Sequence, residues 1–466
     1  MANDVTFNRV GAETRERWKL VRDVCSESEE LKNYLPTLNA ADTTDENKAR
    51  NKAYKERAVF YGATGFTLLG MLGLAFRKDP VLDSAVFVDR LEQIPASIDG
   101  GTISIFQQSQ QTLSNVLQAG RHGLLADLMP GSDMAAIKSY NAEDILNWRV
   151  DLGGRLSMLV LRDSYEREED YAVELKDRYL EYRLIDGRCV IRVWEKNSDG
   201  EFVVTEERTM SRRGGYVDFI PFVFVGSQQN SPGIDAMPLY RLASLNAAHY
   251  RNSADYEDSV FFVGQAQPYL SGLDSEWRDW LSGKDEKGKA RMYWGSRAPI
   301  LLPQGGGAGM IQPSPNTLVR EAMDQKEAHM VALGARLIQS NLAARTATQS
   351  ASEREASTSI LAICCANVSE AYQTAIRYCG ALVDKSIGAE QETFKINQEF
   401  VEHNADPATL AQLVSAWQSG VLAKTDVRAW LRLHGVIGSE RTDEIIQADV
   451  ENEGPALGTA GNANGQ

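Results

Sequence analysis

The residues of this chain whose types and spacing could do chemistry are few, and they do not converge. Glu166, Glu168, Glu169 and Asp170 form an acidic run that could bind a cation or share acid–base work. Consecutive side chains point in several directions, however, so the spacing favours a solvated loop. His122, His249, His329, His403 and His434 are scattered, with no HExxH or other paired spacing, which speaks against a catalytic zinc. Gly305 to Gly309 lacks the Gly-Lys-Ser/Thr and the helix that follow in a phosphate-binding loop, and it reads as a connector. Cys25, Cys189, Cys364, Cys365 and Cys379 are odd in number and contain no CxxC; they read as small core or interface residues rather than a disulfide framework or zinc knuckle. No GxSxG elbow, Cys/His or Ser/Lys signature stands out. The expectation is a non-enzyme with no cofactor and no bound metal.

One cation is placed where it could work. Arg345 lies in the run NLAARTATQSAS, which contains Asn341, Thr346, Thr348, Gln349 and Ser352. A flexible loop of small polar residues carrying a guanidinium can touch phosphates transiently. The alternative is an ordinary exposed connector.

The elements that must position this loop are two helix-like segments laid out and back. The first leaves from Met237, with Pro238 suited to a first turn. Leu239, Leu242, Leu245, His249 and Asn252 step along it by three or four residues, so part of one face is apolar. The return segment, Asn316 to Gln339, starts with an Asn cap and carries Val319, Ala322, Met323, Met330, Leu333 and Leu337. At 1.5 Å per residue it would be roughly 35 Å long. So narrow and Ala-rich a stripe suits packing against like helices. Arg241, Arg251, Arg320, Lys326 and Arg336 lie on this pair, interleaved with acids, and read either as channel-wall cations or as salt-bridge partners between subunits. The detour at 260–315 carries Trp277, Trp280 and Trp294, strand-like runs at FFVGQ and RAPILLP, and the loop QGGGAG. It reads as a small α/β module.

The 466 residues are 43% hydrophobic, enough for real cores, and carry a net charge of −15 from 49 Lys+Arg and 64 Asp+Glu. A chain that gripped DNA through its bulk surface would be basic, because affinity comes from neutralising phosphates. An acidic wall could still guide a sliding polyanion. No apolar run approaches the roughly 20 residues a membrane span needs. MANDVTFNRV lacks a basic-then-apolar signal, so synthesis in the cytoplasm is expected.

Elsewhere, residues 13–80 read as helical, with Tyr54, Ala58, Tyr61, Gly65, Leu68 and Leu72 on one face. Further helices are expected from Thr112 to Met129, ending at Pro130, and over Asn141–Trp148. Residues 155–225 read as an antiparallel meander, with Asp186-Gly187 as a two-residue turn and Asn197 to Gly200 as the next. Glu353 to Asp384 reads as a long helix, ATLAQLVSAWQSG and KTDVRAWLRLHG as a helical hairpin, and the chain from Ser439 as acidic and disordered.

Four long phrases in order carry a family resemblance: YKERAVFYGATGFTLLGMLGLAFRKDP, AGRHGLLADLMP with YNAEDILNWR, FIPFVFVGSQQNSPGIDAMPLYRLASLNAAHYRNSADYEDSVFFVGQAQPYLSG, and the helix–loop–helix from Asn316 to Asp384. They span most of residues 50–385. The chain resembles the portal proteins of tailed double-stranded DNA bacteriophages, in the subgroup built on a domain of unknown function. The stretch GSDMAAIKSY departs from the family by lacking an Arg-Pro-Tyr. The resemblance implies an α+β, mainly helical portal fold. Its wing would be 1–236, β-rich at 155–225. Stem helices would be 237–259 and 316–339, with a small α/β clip at 260–315. A channel loop would follow at 340–352, then a tunnel or wing helix at 353–394, crown helices at 395–438, and an acidic, flexible tail at 439–466. It further implies a dodecameric ring at the portal vertex of the virion, assembled in the host cytoplasm, through which double-stranded DNA passes during packaging and ejection. Implied partners are the major capsid protein and scaffold, the terminase large subunit, head-completion or adaptor proteins and tail proteins, with no membrane. Asn341, Arg345, Thr346, Thr348, Gln349 and Ser352 would lie nearest the DNA, and Trp277, Trp280 and Trp294 on the clip docking surface. Another virion ring or adaptor is the alternative within the structural class, and a hydrolase using the acids near Glu166 is the alternative outside it.

Overall fold

A computed structural model of the chain describes residues 4–129, 131–169, 172–212, 215–264, 267–282, 302–311, 317–338, 359–398, 400, 407–433, 437 and 441–452. The chain divides into two units, Met1–Gln398 and Glu399–Gln466. The fold is α+β.

The first unit begins with three helices, α1 (Ala12–Ser26), α2 (Asp45–Arg57) and α3 (Ala63–Ala75). The single helical face read across Tyr54 to Leu72 is therefore interrupted: α2 ends at Arg57, and Gly62 begins a new helix. Gly65 explains the close approach of α3 to α1, since a Cβ there would meet the Cys25 carbonyl oxygen at 2.7 Å. Strand β1 (Val81–Leu82) follows, then helix α4 (Ile105–Ala119), which opens with a Ser104/Gln107 capping box.

Helix α4 stops well before Pro130. Gly120, at φ +68°, ends it, and RHGLLADL becomes β2 (Arg121–Leu128), almost wholly buried. A strand covered on both faces shows no alternation, so its apolar run imitates a helix. NAEDILNW likewise corrects from helix to strand. After β3 (Ala135–Asn141) the Asn141 side chain makes no cap bond, a single 3₁₀ turn spans Ala142–Asp144, and β4 (Ile145–Val150) begins at once.

The meander is β4 with β5 (Leu156–Glu169), β6 (Ala172–Ile185), β7 (Arg188–Lys196) and β8 (Phe202–Thr209), antiparallel and in sequence order. Asp186 and Gly187 both have positive φ, 49° and 73°, as a two-residue hairpin turn requires. Glu166, Glu168 and Glu169 belong to the end of β5 rather than to a loop; Asp170 lies outside the described residues. A short ribbon, β9 (Ser211–Arg212) with β10 (Gly215–Tyr216), leads to β11 (Phe222–Gly226). This last run is not part of the meander. It pairs with β2 in a separate sheet ordered β11-β2-β3.

Helix α5 (Tyr240–Gly264) includes the FFVG run expected as strand. Strands β12 (Gln267–Ser271) and β13 (Gly307–Ile311) pair antiparallel, and α6 (Ser275–Ser282) follows β12. Gly307 and Gly309 are thus strand residues, not a loop. Helix α7 (Thr317–Ile338) returns along α5, and α8 (Ile360–Leu382) packs on the β11-β2-β3 sheet. Strand β14 (Phe394–Lys395) closes the unit by pairing with β1.

The second unit contains α9 (Pro407–Gln418), α10 (Lys424–Leu433) and α11 (Asp443–Asn452). Gly420, at φ +76°, turns the chain after α9. Helix α11 corrects the expectation of a wholly disordered tail, and Arg432 and Arg441 hold it through ion pairs with Asp443 and Asp449.

Candidate functional site

The antiparallel pair α5–α7, with the hairpin and α6 between them, is the most distinctive constellation in the first unit. On α5, Leu242, Ala243, Asn246, Ala247, Tyr250, Ser253 and Ala254 are buried. Their three- and four-residue spacing forms one broad arc. The facing stripe of α7 includes Met330, Gly334 and Leu337. His249 Nε2 lies 3.2 Å from Glu327 Oε1, and with its amide turned to satisfy both of its atoms, Asn252 bonds Lys326 Nζ at 3.2 Å. Helix α3 clamps the base of the pair: Thr64 binds Asn246, and Thr67 lies beside Gly334.

The buried arc of α5 does not end where the body ends. Val260 and Phe261 fall seven residues after Ser253 and Ala254, hence on the same side, yet they are 49% and 45% exposed. Phe262, on the opposite side, is also exposed. Arg57, paired with Asp258 at 2.7 Å, stacks its guanidinium 3.7 Å from the Phe261 ring and marks the last support from α2. Beyond it, Leu318, Met310, Tyr269 and Trp280 are exposed as well.

Of the expected cations, Arg241, Arg251, Arg320 and Arg336 are exposed, and Lys326 is half-buried. Arg251 Nε donates to the Tyr34 carbonyl at 3.3 Å, and Lys326 faces α5 through Asn252. Those two make contacts within the chain itself, which their sequence positions could not reveal. Trp277 and Trp280 come together on α6, edge to face at 5.4 Å, with Asp274 capping the helix through the Trp277 N–H at 2.8 Å. Trp294 and the loop residues Asn341, Arg345, Thr346, Thr348, Gln349 and Ser352 lie outside the described residues.

Sequence reasoning passed over a buried polar cluster behind the start of α5. Arg121 is 1% exposed. Its guanidinium lies 4.1 Å from the Trp148 ring and 4.5 Å from Phe224, and Nη1 donates to the Pro232 and Gly233 carbonyls at 2.9 and 3.0 Å. Burial, reinforced by Arg9, pushes its pKa down to about 9. Asp235 in the same loop accepts the Gln228 and Gln229 N–H groups at 2.7 and 3.0 Å. Together Arg121 and Asp235 set the entry of the chain into α5. The signal was an Arg at the head of a run with no polar alternation.

Among the described residues, no chemistry-bearing cluster accompanies this architecture. Among the described residues, no group of three His, Cys, Asp or Glu side chains could hold a metal. The five thiols are free, and burial raises each pKa, to about 12 for Cys25, Cys189 and Cys364. They are therefore poor nucleophiles. Among the same residues, no helix is long and apolar enough to cross a membrane.

Residues 238–381, from the approach to α5 through nearly all of α8, match the family model described as "Domain of unknown function (DUF4055)". No curated protein matches the chain. Among solved structures, the chain is similar to a component of the neck of an empty GTA particle computed with C6 symmetry. That match has 12% identity and a TM-score of 0.40, and it covers 81% of this chain and 92% of the other. A component of the neck of a native GTA particle computed with C12 symmetry aligns at 11% identity and TM-score 0.38, over 79% and 89%. One from the virion of a native gene transfer agent (GTA) particle aligns at 14% and 0.40, over 79% and 89%. Likenesses of this size establish neither a shared architecture nor a shared activity.

Proposed function

We propose that this chain is a portal-type subunit of a phage-like virion, forming a homo-oligomeric ring around a DNA channel and performing no catalysis of its own. The observation that carries the reading is the α5–α7 rod, whose buried arc continues past the body as the exposed residues Val260 and Phe261. A lone subunit leaves this surface wet, whereas side-by-side copies bury it. The helix pair would then line the channel, and the hairpin with α6 would stand at its end as the docking surface for terminase and later for adaptor proteins. The net charge of −15 suits a wall along which DNA slides rather than sticks. Twelve copies, a capsid-vertex location and the partners named by the family resemblance are part of the same proposal. Another virion ring or adaptor is the second reading, and an axial view of the assembly separates the two.

Negative-stain imaging of the purified protein tests the proposal: closed rings of about twelve units support it, and monomers or small dimers under all conditions overturn it. Shortening Asn341 to Ser350 should impair packaging while leaving rings intact; normal packaging would remove the channel-loop role. Glu166→Ala should cost no activity, because none is expected.

A further inference from the structure

Two neighbouring helices of the first unit carry no charge. The 13 residues of α3 and the 15 of α4 include no Asp, Glu, Lys or Arg, where a chain that is 24% charged would place about seven. Both helices nevertheless reach the surface. On the outer side of α3, Phe66 and Leu69 are 80% and 68% exposed, and Phe66 is the most exposed aromatic side chain among the described residues. Gly70 and Gly73 complete that face at three- and four-residue spacing, and a Cβ at either would meet nothing within 4 Å. Two bulky side chains thus stand beside bare backbone.

A groove of about 570 Å³ lies where the later part of α3 meets α4. Leu72 and Ile103 contribute its apolar lining, Gln107, Gln111 and Ser114 contribute one stripe of α4, and no charged residue lines it. Phe76 and Phe106, edge to face at 5.3 Å, fix the two helices against each other. Phe66 and Leu72 are six residues apart, hence about 120° apart around α3 and about 9 Å along it. The knob therefore does not look into its own groove.

We propose that Phe66 and Leu69 of one copy seat in the α3–α4 groove of the next copy of this chain. The charge pattern selects the occupant. Copies that each carry −15 repel, and acids brought face to face across a contact cost free energy, so identical copies meet where neither presents a charge. A basic partner would instead select an acidic surface. Gly70 and Gly73 let the facing helix approach the α3 backbone closely, and the groove has room for both side chains. Knob and groove point in different directions, so the contact is heterologous and repeats head to tail, the arrangement that closes into rings. This inference rests on the ring reading and deepens it.

The experiment joins the two sites between full-length chains. Phe66→Cys and Gln111→Cys are made as separate variants, mixed before assembly and oxidised, with each variant oxidised alone as a control. A disulfide forms only where the two Cα atoms come within about 7 Å. The expected result is a covalent dimer whose peptides are joined through positions 66 and 111, in the mixture alone. Intact rings by negative stain without that junction would overturn this inference and leave the ring reading standing. Dimers joined 66 to 66 in the Phe66→Cys control would also overturn it, because the knobs would then meet each other. Absence of any oligomer from the unsubstituted chain would sink both readings. As a second measurement, Phe66→Asp should raise the concentration needed for ring assembly about tenfold or more, as loss of a buried phenylalanine implies, with the melting temperature of the dissociated subunit unchanged. Assembly at the wild-type concentration would count against the contact.

Discussion

Asn246 of α5 accepts two hydrogen bonds from Thr64 of α3, at 3.1 Å from its backbone N–H and 2.9 Å from its hydroxyl. It returns its own amide to the Tyr61 carbonyl at 2.7 Å. Gly62, which begins α3, has no side chain to cap the helix; the long helix supplies the cap instead. Asn246 is fully buried, so Asn246→Ala strands donors and acceptors away from water. Chemical denaturation should show a loss of about 2–4 kcal/mol, and a loss below half a unit would show that water replaces the cap.

The turn from α4 into β2 should tolerate no side chain. Gly120 is left-handed, and a Cβ there would lie 2.7 Å from the carbonyl oxygens of both Asp235 and Ala236. Gly120→Ala is expected to cost about 2–4 kcal/mol. The same chemical denaturation reads it, and a neutral result would mean that the loop before α5 can retreat.

Acid sensitivity should trace in part to His122. Burial, and secondarily Arg22, pushes its pKa down to about 3 from 6.5, and neither ring nitrogen has a partner. As pH falls below 6.5 the unfolded chain takes up a proton that the native chain refuses. Stability therefore drops with falling pH, by at most about 1.4 kcal/mol per unit, until the folded pKa is reached. His122→Leu should flatten unfolding free energy between pH 7 and pH 5; an unchanged slope would assign the sensitivity elsewhere.

Arg121→Lys should not be conservative. An ammonium can reach one of the two carbonyls but cannot fill the slot between Trp148 and Phe224 as a flat guanidinium does. A destabilisation of about 2 kcal/mol or more is expected, with protease cleavage of 227–236 as a second readout. Equal stability and equal cleavage would show that the stack is incidental.

The exposed end of α5 separates assembly from folding. Val260→Asp, at a residue 49% exposed on the arc that continues past the body, should leave the stability of the isolated chain within about 0.5 kcal/mol while shifting mass photometry toward smaller species. Unchanged assembly would place the subunit interface elsewhere.

The amino-acid sequence by itself determined the meander, its Asp186-Gly187 turn, and the paired helices α5 and α7. Each rests on local signals: period-2 alternation, turn residues with positive φ, and three- and four-residue apolar spacing. Tertiary structure alone decided that RHGLLADL and FVFVG are neighbouring strands of one sheet, because runs buried on both faces have no period to read. It also decided that α3 borrows its cap from Asn246, that Arg121 is enclosed between two rings, and that Lys326 turns inward to Asn252 while Arg320 stays exposed. Those outcomes depend on which side chains from distant segments meet, and burial makes them matter: a polar group in water needs no particular partner, whereas one in the core must find it.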